Sequence, residues 1–132
     1  MDNITLALAT DDGEHFINRH FGDADMYKIY EISPDKAELV SKIDNTVDEE
    51  DVHADPEKAK GIAILLKEEG VKVVASNIFG PNIKRIKKKF VCIVLDDNTL
   101  EEGLQKIQNN FDEIIAEWKK GQDREYLVYK ND

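Results

Sequence analysis

The chain has 132 residues, of which 41% are hydrophobic and 35% charged, and it carries a formal net charge of −10 at pH 7. This length suits one domain with a proper core, and this charge makes the chain a poor general binder of nucleic acid, because neutralised phosphates supply most of that affinity. No apolar run approaches the roughly 20 residues that span a bilayer, and no secretory signal is recognisable, so we expect a cytoplasmic protein that does not bind membranes.

The amino-terminal half predicts three strands. Apolar residues alternate with small ones over Ile4–Thr10, which is typical of a strand covered on both faces. Alternation over Met26–Ile32 and again over Ala37–Ile43, with the turn residues of Ser33-Pro34-Asp35 between them, predicts an antiparallel hairpin. Residues 44–57 hold seven acids without the spacing of a calcium-binding EF-hand, so we expect an exposed and mobile loop there.

The middle of the chain predicts a helix and two further strands. Asp55-Pro56 is a typical helix start, with aspartate as N-cap and proline in the first turn, and Gly70 is a typical end. Apolar runs at Val71–Ala75 and Phe90–Leu95 predict strands four and five. Between them, a short helix is expected from Gly80-Pro81 to about residue 89.

The carboxy-terminal part predicts one long helix and a short tail. Thr99 and Glu102 have the spacing of a capping box, and an apolar stripe continues from there to Trp118. Gly121 is expected to end this helix. Residues 1–120 would then form the domain, and the tail of residues 121–132 would add a short edge strand or pack on a partner.

The order of these elements predicts an open α/β fold with a five-stranded mixed sheet. The simplest strand order is 3-2-1-4-5, with strand two antiparallel to the rest. Right-handed crossovers place helices on both faces of such a sheet. Ligands of open α/β sheets bind beyond the carboxyl ends of the strands, where the order reverses. Residues 11–22 and residues 76–82 should therefore form one crevice.

The first of these loops contains the most informative motif, His20-Phe21-Gly22. Imidazole is the commonest protein metal ligand and titrates near neutral pH, so His20 is a candidate ligand. The alternative for His20 is a hydrogen bond that stabilises the loop. His15 and His53 are expected to be ordinary surface residues.

The crevice should also attract negative charge. Gly80-Pro81-Asn82 leads into a helix, and the free N–H groups of a helix start offer an anion site. Arg19 could clamp an anion, or it could instead pair with a nearby acid (Asp11, Asp12 or Asp23). A histidine, an arginine and a helix start together suit a polyanion or an anionic metal cluster better than a bare cation.

Two other features are expected to play lesser parts. Cys92 lies in an apolar run and is expected to be a buried core residue, and a single cysteine cannot hold a cluster through several thiolates. The basic segment Lys84–Lys89 is expected to be a solvated helix face, with a local anion patch as the alternative.

Taken together, these motifs resemble the dinitrogenase iron–molybdenum cofactor biosynthesis family, which includes NifX-like and NafY-like carriers and the C-terminal domain of NifB. The resemblance covers roughly residues 3–118 and rests on His20-Phe21-Gly22, the strand Met26–Ile32, the strand Val71–Ala75 leading to Gly80-Pro81, and the last strand and helix. It implies a ribonuclease H-like fold and the carriage of an iron–sulfur or iron–molybdenum cluster without catalysis. It also implies that His20 contacts the cluster.

Our functional hypothesis is a carrier that receives a cluster from a donor protein and gives it to an acceptor. His20 would be the ligand, Arg19 and the backbone of Gly80–Asn82 would hold anionic charge, and Phe21 would exclude water. The protein would be a monomer or a weak homodimer. The alternative is a regulatory or protein-interaction module with a degenerate site, which would bind its partner through Lys84–Lys89 or through the tail. A nuclease is disfavoured because no set of carboxylates converges to hold two metals.

Overall fold

The computed structural model describes residues 3–45 and 56–130, and most of the predicted acidic loop, with His53 and the predicted N-cap Asp55, lies outside this part. The described strands form one mixed sheet with the order β3-β2-β1-β4-β5-β6. Their bounds are β1 (Ile4–Thr10), β2 (Met26–Ser33), β3 (Lys36–Asp44), β4 (Val73–Ser76), β5 (Val91–Leu95) and β6 (Leu127–Tyr129).

Four α-helices accompany the sheet in the described part of the chain: α1 (Pro56–Glu68), α2 (Ile83–Ile86), α3 (Leu100–Asn109) and α4 (Phe111–Trp118). Two short 3₁₀ turns, Phe21–Asp23 and Gly121–Asp123, complete the regular structure. The predicted capping box of α3 is confirmed, because Thr99 Oγ1 accepts the Glu102 N–H and Glu102 Oε1 accepts the Thr99 N–H, both at 3.2 Å. In the parts that the structure describes, no helix is long and apolar enough to cross a membrane.

The predicted order of the first five strands is confirmed, and so is the antiparallel direction of β2 relative to its neighbours. The sheet has six strands and not the five predicted for the domain, because the tail takes the first of its two predicted alternatives and adds the edge strand β6 in parallel to β5, with Ile93 opposite Leu127 and Leu95 opposite Tyr129. This pairing satisfies backbone groups that β5 would otherwise leave at an open edge. Lys106 Nζ also donates to the Tyr129 carbonyl at 3.2 Å, which ties β6 to α3.

The prediction of one long carboxy-terminal helix is also wrong, because α3 and α4 are separated at Asn110. The backbone of Asn110 leaves the helical region, with φ −114° and ψ 22°. Its side-chain Nδ2 donates to the Lys106 carbonyl at 2.8 Å, and its N–H bonds the Ile107 carbonyl at 3.1 Å. Asparagine competes with the helical ladder in this way, which explains the break.

The helix α2 is shorter than predicted, since it ends at Ile86 and not near residue 89. The chain beyond it tightens into turns, in which the Lys88 N–H bonds the Arg85 carbonyl at 3.3 Å and the Lys89 N–H bonds the Ile86 carbonyl at 3.0 Å. These turns deliver the chain to Phe90, which is buried at the start of β5. Of the basic residues of this segment, Lys84 and Arg85 therefore lie in α2, and residues 87–89 lie in the turns after it.

Two apolar clusters lie on opposite faces of the sheet, which confirms the predicted helices on both sides. The face under α1 and α2 contains Ala7, Ala9, Phe21, Tyr27, Ile29, Ile62, Leu66, Val74, Phe79, Ile86 and Phe90 among others. The opposite face contains Leu6, Leu8, Ile32, Val73, Ala75, Ile93, Leu100, Ile107, Phe111 and Ile114 among others. Strand β1 supplies both clusters, and burial of both its faces explains its continuous apolar and small-residue sequence.

Candidate functional site

Three loops meet at the carboxyl edge of the sheet. The first loop (residues 11–25) follows β1, the second (77–82) follows β4, and the third (96–99) follows β5. His20 pairs with Ile78 in a parallel bridge, so the first and second loops lie side by side as their sheet order predicts. His15 pairs with Thr99 in an antiparallel bridge, which brings in the third loop. Sequence reasoning overlooked the third loop, although β5 runs parallel to β4 and must end at the same edge.

The imidazole of His20 rests directly on the backbone of Gly80. A Cβ atom added to Gly80 would lie 2.5 Å from His20 Nδ1, 2.6 Å from Cε1 and 2.8 Å from Cγ, closer than atoms can approach. Gly80 also has φ +74°, a conformation that other residues rarely adopt. Glycine at this position therefore serves two purposes, a left-handed turn and room for the ring. The half-buried His20 is held in place by this contact.

Phe21 anchors the histidine loop in the core. Its side chain is 0% exposed and stacks on Phe79 with ring centroids 5.1 Å apart, while the Tyr27 ring lies 5.0 Å away at a tilt of 45°. The Tyr27 hydroxyl donates to the Phe21 carbonyl at 2.8 Å, and burial raises the pKa of that hydroxyl. The Gly22 carbonyl accepts a hydrogen bond from Asn45 Nδ2 at 3.0 Å. Phe21 thus supports the histidine loop from the core side, and its buried ring is not part of the protein surface.

Arg19 takes the alternative that the sequence left open, an ion pair with Asp11. Its guanidinium donates to Asp11 Oδ2 and, at 2.7 Å, to the Asp23 carbonyl. The hydrogen bond from Arg19 to Asp11 raises the pKa of Arg19. Asp11 Oδ1 in turn accepts the Asp25 N–H at 2.9 Å. The positive charge of Arg19 is therefore largely compensated by Asp11.

Asp12 organises the turn that follows β1. Its Oδ1 accepts the N–H groups of Glu14 and His15, both at 2.8 Å, and its Oδ2 lies 2.7 Å from His15 Nδ1. The backbone bond from Glu14, followed by those from His15, holds the pKa of Asp12 far below its usual range. The carboxylates of Asp11 and Asp12 are therefore both engaged in hydrogen bonds within this loop.

A cleft of about 410 Å³ opens between the three loops. The first loop contributes Asp11, Asp12, His15, Phe16, Ile17 and Asn18, and the other two contribute Asn77 and Asn98. Asn77 Nδ2 donates to the Asp97 carbonyl at 2.9 Å, whereas its buried Oδ1 has no hydrogen-bond partner among the described residues. Asn77 lies within the predicted crevice segment of residues 76–82, whereas sequence reasoning missed Asn98 as a lining residue. His20 and Gly80 lie beside this cleft and not among its lining residues.

Two of the backbone N–H groups at the start of α2, which the sequence predicted to be free for an anion, already form hydrogen bonds within the chain. The Ile83 N–H bonds the Gly80 carbonyl at 3.2 Å, and the Lys84 N–H bonds the Pro81 carbonyl at 3.4 Å. With four residues, α2 also has little of the dipole of a longer helix. Asn82 Oδ1 is 3.4 Å from a guanidinium nitrogen of Arg85. A role of Gly80, Pro81 and Asn82 in holding an anion stays a prediction.

The side chains at hand do not build a closed metal site. Over residues 3–45 and 56–130, no three histidine, cysteine, aspartate or glutamate side chains are grouped so that they could hold a metal ion. Cys92 is buried in β5, and burial raises the pKa of its thiol, so it is not available as a thiolate ligand. Among the residues that the structure describes, a metal-containing group at this edge would therefore find few protein ligands.

Comparison with known proteins establishes the family. The sequence profile described as dinitrogenase iron–molybdenum cofactor matches residues 2–110. The chain belongs to this dinitrogenase iron–molybdenum cofactor family. Among solved structures, it is similar to a Methanocaldococcus jannaschii protein that was provisionally described as a dinitrogenase and solved at 1.70 Å resolution, with 19% identity, a TM-score of 0.56, and coverage of 83% of this chain and 92% of that one. This likeness supports the fold. No curated protein matches the sequence.

The dinitrogenase iron–molybdenum cofactor match includes all three loops of the site. It extends over His20 and Gly80 and ends at Asn110, the residue at which α3 and α4 separate. The segment that forms α4 and β6 lies beyond the matched region. The family relationship therefore concerns the part of the chain that builds the carboxyl edge of the sheet.

The low pKa of Asp12 predicts an acid-dependent loss of stability at this edge. A carboxyl whose pKa is lower in the folded state stabilises the fold above its unfolded pKa, and this contribution is lost as the pH falls towards the folded pKa. Asp12 carries such a depressed pKa. We expect Asp12→Asn to be less stable than the natural protein at pH 6, with a difference that shrinks as the pH falls below about 4. Urea unfolding at several pH values measures this, and a constant difference would contradict it.

Proposed function

We propose that this protein binds an iron–sulfur or iron–molybdenum cluster as cargo, without catalysing a reaction, and passes it between proteins of cofactor biosynthesis. The observation that carries this proposal is the half-buried His20 seated on Gly80, at the loop edge of a chain that belongs to the iron–molybdenum cofactor family. In this respect the protein would act like the NifX-like carriers. Its partners would be a cluster donor and a cluster acceptor.

The sparse set of ligands supports a carrier more than a permanent holder. A cluster held by several thiolates exchanges slowly, whereas a contact through a single imidazole lets the cargo leave. In the described part of the chain, the one cysteine, Cys92, is buried and far from a thiolate state. His20 would be the contacting residue, and the protein would hold the cargo without a tightly bound resident cofactor.

The neighbours of His20 would take different parts in this proposal. Phe21 would position the loop through its contacts with Phe79 and Tyr27, and it would keep water out from below. Arg19 is already paired with Asp11, so this ion pair would have to open before Arg19 could bind an anionic cluster. The backbone of Gly80–Asn82 would complete the surface next to the imidazole.

The two loop histidines provide a matched test. Under anaerobic conditions, the purified protein is mixed with an iron–sulfur or iron–molybdenum cluster, desalted, and assayed by visible absorption and metal content. We expect the natural protein to retain the cluster stoichiometrically, His20→Ala to lose most of it, and His15→Ala to retain it, because His15 is engaged with Asp12.

Each other result has a definite meaning. Retention by His20→Ala at the level of the natural protein would contradict the role of His20. Loss in His15→Ala with retention in His20→Ala would place the cargo in the cleft between the three loops. No retention by any of the three proteins would overturn the carrier proposal for that cluster and favour the protein-interaction module.

Several finer predictions belong to this proposal and await their own tests. These are the absence of catalysis, the ribonuclease H-like character of the fold, a cytoplasmic location, and a monomer or weak homodimer in solution. Turnover assays test the absence of catalysis, cell fractionation tests the location, and the mass in solution tests the oligomeric state. The identity of the donor and the acceptor can be approached by crosslinking at residues near His20.

A further inference from the structure

A basic pocket lies at the edge of the sheet opposite to the candidate site. Its volume is about 420 Å³, and five cationic side chains line it together with Gly70, Val71 and Trp118. The cations are Lys67, Lys72, Lys88, Lys89 and Arg124, and no acidic residue is part of the lining. In a protein with a net charge of −10, such a concentration of positive charge is a distinct electrostatic feature.

Four separate segments bring these cations together. Lys67 comes from the last turn of α1, Lys72 precedes β4, Lys88 and Lys89 precede β5, and Arg124 follows the 3₁₀ turn after α4. The amino-terminal ends of the parallel strands β4 and β5 lie next to each other, which gathers the first four on one rim. The fold brings these cations together, and the basic run Lys84–Lys89 contributes only two of them, Lys88 and Lys89.

Arg124 forms the charged floor of the pocket. Its side chain is 6% exposed, and its guanidinium lies 4.1 Å above the Trp118 ring centre. It donates from Nε to the Trp118 carbonyl at 3.1 Å and from one terminal nitrogen to the Lys88 carbonyl at 2.9 Å. Burial lowers the pKa of this guanidinium.

The charge of Arg124 has no carboxylate partner within 4.0 Å among the residues that the structure describes. Two lysines, by contrast, do have carboxylate partners: Lys87 pairs with Glu125 and Lys120 pairs with Glu117, both at 3.0 Å. A buried cation without a direct ion pair is costly, because desolvation is not fully offset. The buried carboxylate of Glu117 acts on Arg124 only from beyond ion-pair distance and is itself paired with Lys120, so an anion in the adjacent pocket would supply a closer counter-charge.

The aromatic ring in the pocket is not available for stacking. Arg124 covers Trp118, and Lys72 Nζ lies 5.7 Å from the same ring centre. Recognition of single-stranded nucleic acid relies on open aromatic faces along a groove, which this pocket does not offer. Lysine ammonium groups and a fixed guanidinium are, by contrast, the usual partners of phosphate oxygens.

We propose that this pocket binds a compact polyvalent oxyanion of the phosphate class, such as a diphosphate group. Several lysines on the rim would each reach an oxygen of a polyvalent anion, and Arg124 on the floor would gain a direct counter-charge from the anion above it. The site lies at the opposite end of the strands from His20, so it is independent of the proposed carrier function.

The test uses inorganic pyrophosphate as the probe at constant ionic strength, with calorimetry and the fluorescence of Trp118, the one tryptophan of the chain. We expect saturable binding and a fluorescence change in the natural protein. Lys72→Gln and Lys89→Gln should each weaken binding by about tenfold, since each removes one charged contact. Lys84→Gln is the matched control, because Lys84 is an exposed lysine of the same basic run outside the pocket, and its effect should stay within about twofold.

Three results would overturn the proposal. The first is the absence of heat and of any fluorescence change up to millimolar pyrophosphate. The second is an equal loss of binding in Lys84→Gln and Lys89→Gln, which would indicate nonspecific attraction. The third is tighter binding of an oligoaspartate peptide than of pyrophosphate, which would assign the pocket to an acidic segment of a protein. Arg124 is left unchanged in these tests because its burial makes it part of the folded core.

Discussion

Replacing Gly80 with alanine is expected to displace the His20 ring and to lower the free energy of unfolding by about 2–4 kcal/mol. Two physical costs add at this position. The backbone has φ +74°, which is strained for a residue with a side chain, and the new methyl group would lie within 2.5–2.8 Å of three ring atoms of His20. Urea unfolding of the natural and variant proteins measures the sum.

Gly70 provides the control for the backbone part of this effect. Gly70 has a similar φ of +78°, but nothing lies within 4 Å of an added Cβ. We expect Gly70→Ala to cost about 1 kcal/mol, the cost of the left-handed conformation by itself. The difference between the two variants is then the clash with His20.

A double variant isolates the contact between the two residues. In His20→Ala/Gly80→Ala the clashing ring is absent, so Gly80→Ala should cost no more in that background than Gly70→Ala costs in the natural protein. Equal costs of Gly80→Ala in both backgrounds would contradict the contact that the structure shows. If the carrier proposal is right, Gly80→Ala should also retain less cluster than Gly70→Ala, because only the first moves His20.

Replacing Phe21 with alanine is expected to cause the largest loss of stability, about 3–5 kcal/mol. The ring is fully buried between Phe79 and Tyr27, and its removal leaves a cavity where the histidine loop meets the core. The loop conformation depends on this anchor, so the position of His20 should become less well defined. Thermal or urea unfolding gives the energy, and the amide exchange rate of residues 20–23 reports the loop.

Ile78 is the matched control for Phe21, because it is an apolar residue of the facing loop that is 40% exposed. We expect Ile78→Ala to change the stability by about 0.5 kcal/mol or less. A loss from Phe21→Ala no larger than that from Ile78→Ala would mean that the histidine loop is not anchored in the core. Cluster retention by Phe21→Ala should be measured well below its unfolding midpoint, so that misplacement of the loop is separated from unfolding.

Most strands could be predicted because their signals are local. The alternation in β2 reports which side chains face the core, the alternation in β3 predicts the strand although most of its side chains are exposed, and the prediction and the structure agree on β1 residue for residue. The capping box at Thr99 and the helix start at Pro56 are likewise encoded by neighbours within one turn. The order of the first five strands followed from connection rules that hold for most α/β sheets.

The departures arose where a hydrogen bond that the apolar pattern does not report sets the local structure. Asn110 breaks the long helix through a single side-chain bond that competes with the helical ladder, although the apolar stripe continues across it. The tail forms β6 by pairing with the open parallel edge of β5, and this pairing decides between the two alternatives that the sequence left for the tail. In both places the periodic pattern was correct, and an interaction outside the pattern set the outcome.

The same division applies to the candidate site. By itself, the sequence determined the strands, the family resemblance, and the two loops that carry His20 and Gly80, since these depend on local chemistry and on the chain order. Only the tertiary structure decided that the His20 ring rests on Gly80, that Arg19 is paired with Asp11, and that Phe21 is buried. It also gathered the cations around Trp118 from four segments. Contacts and ion pairs between segments far apart in the chain depend on how the sheet brings strand ends together, and no short window of sequence contains that information.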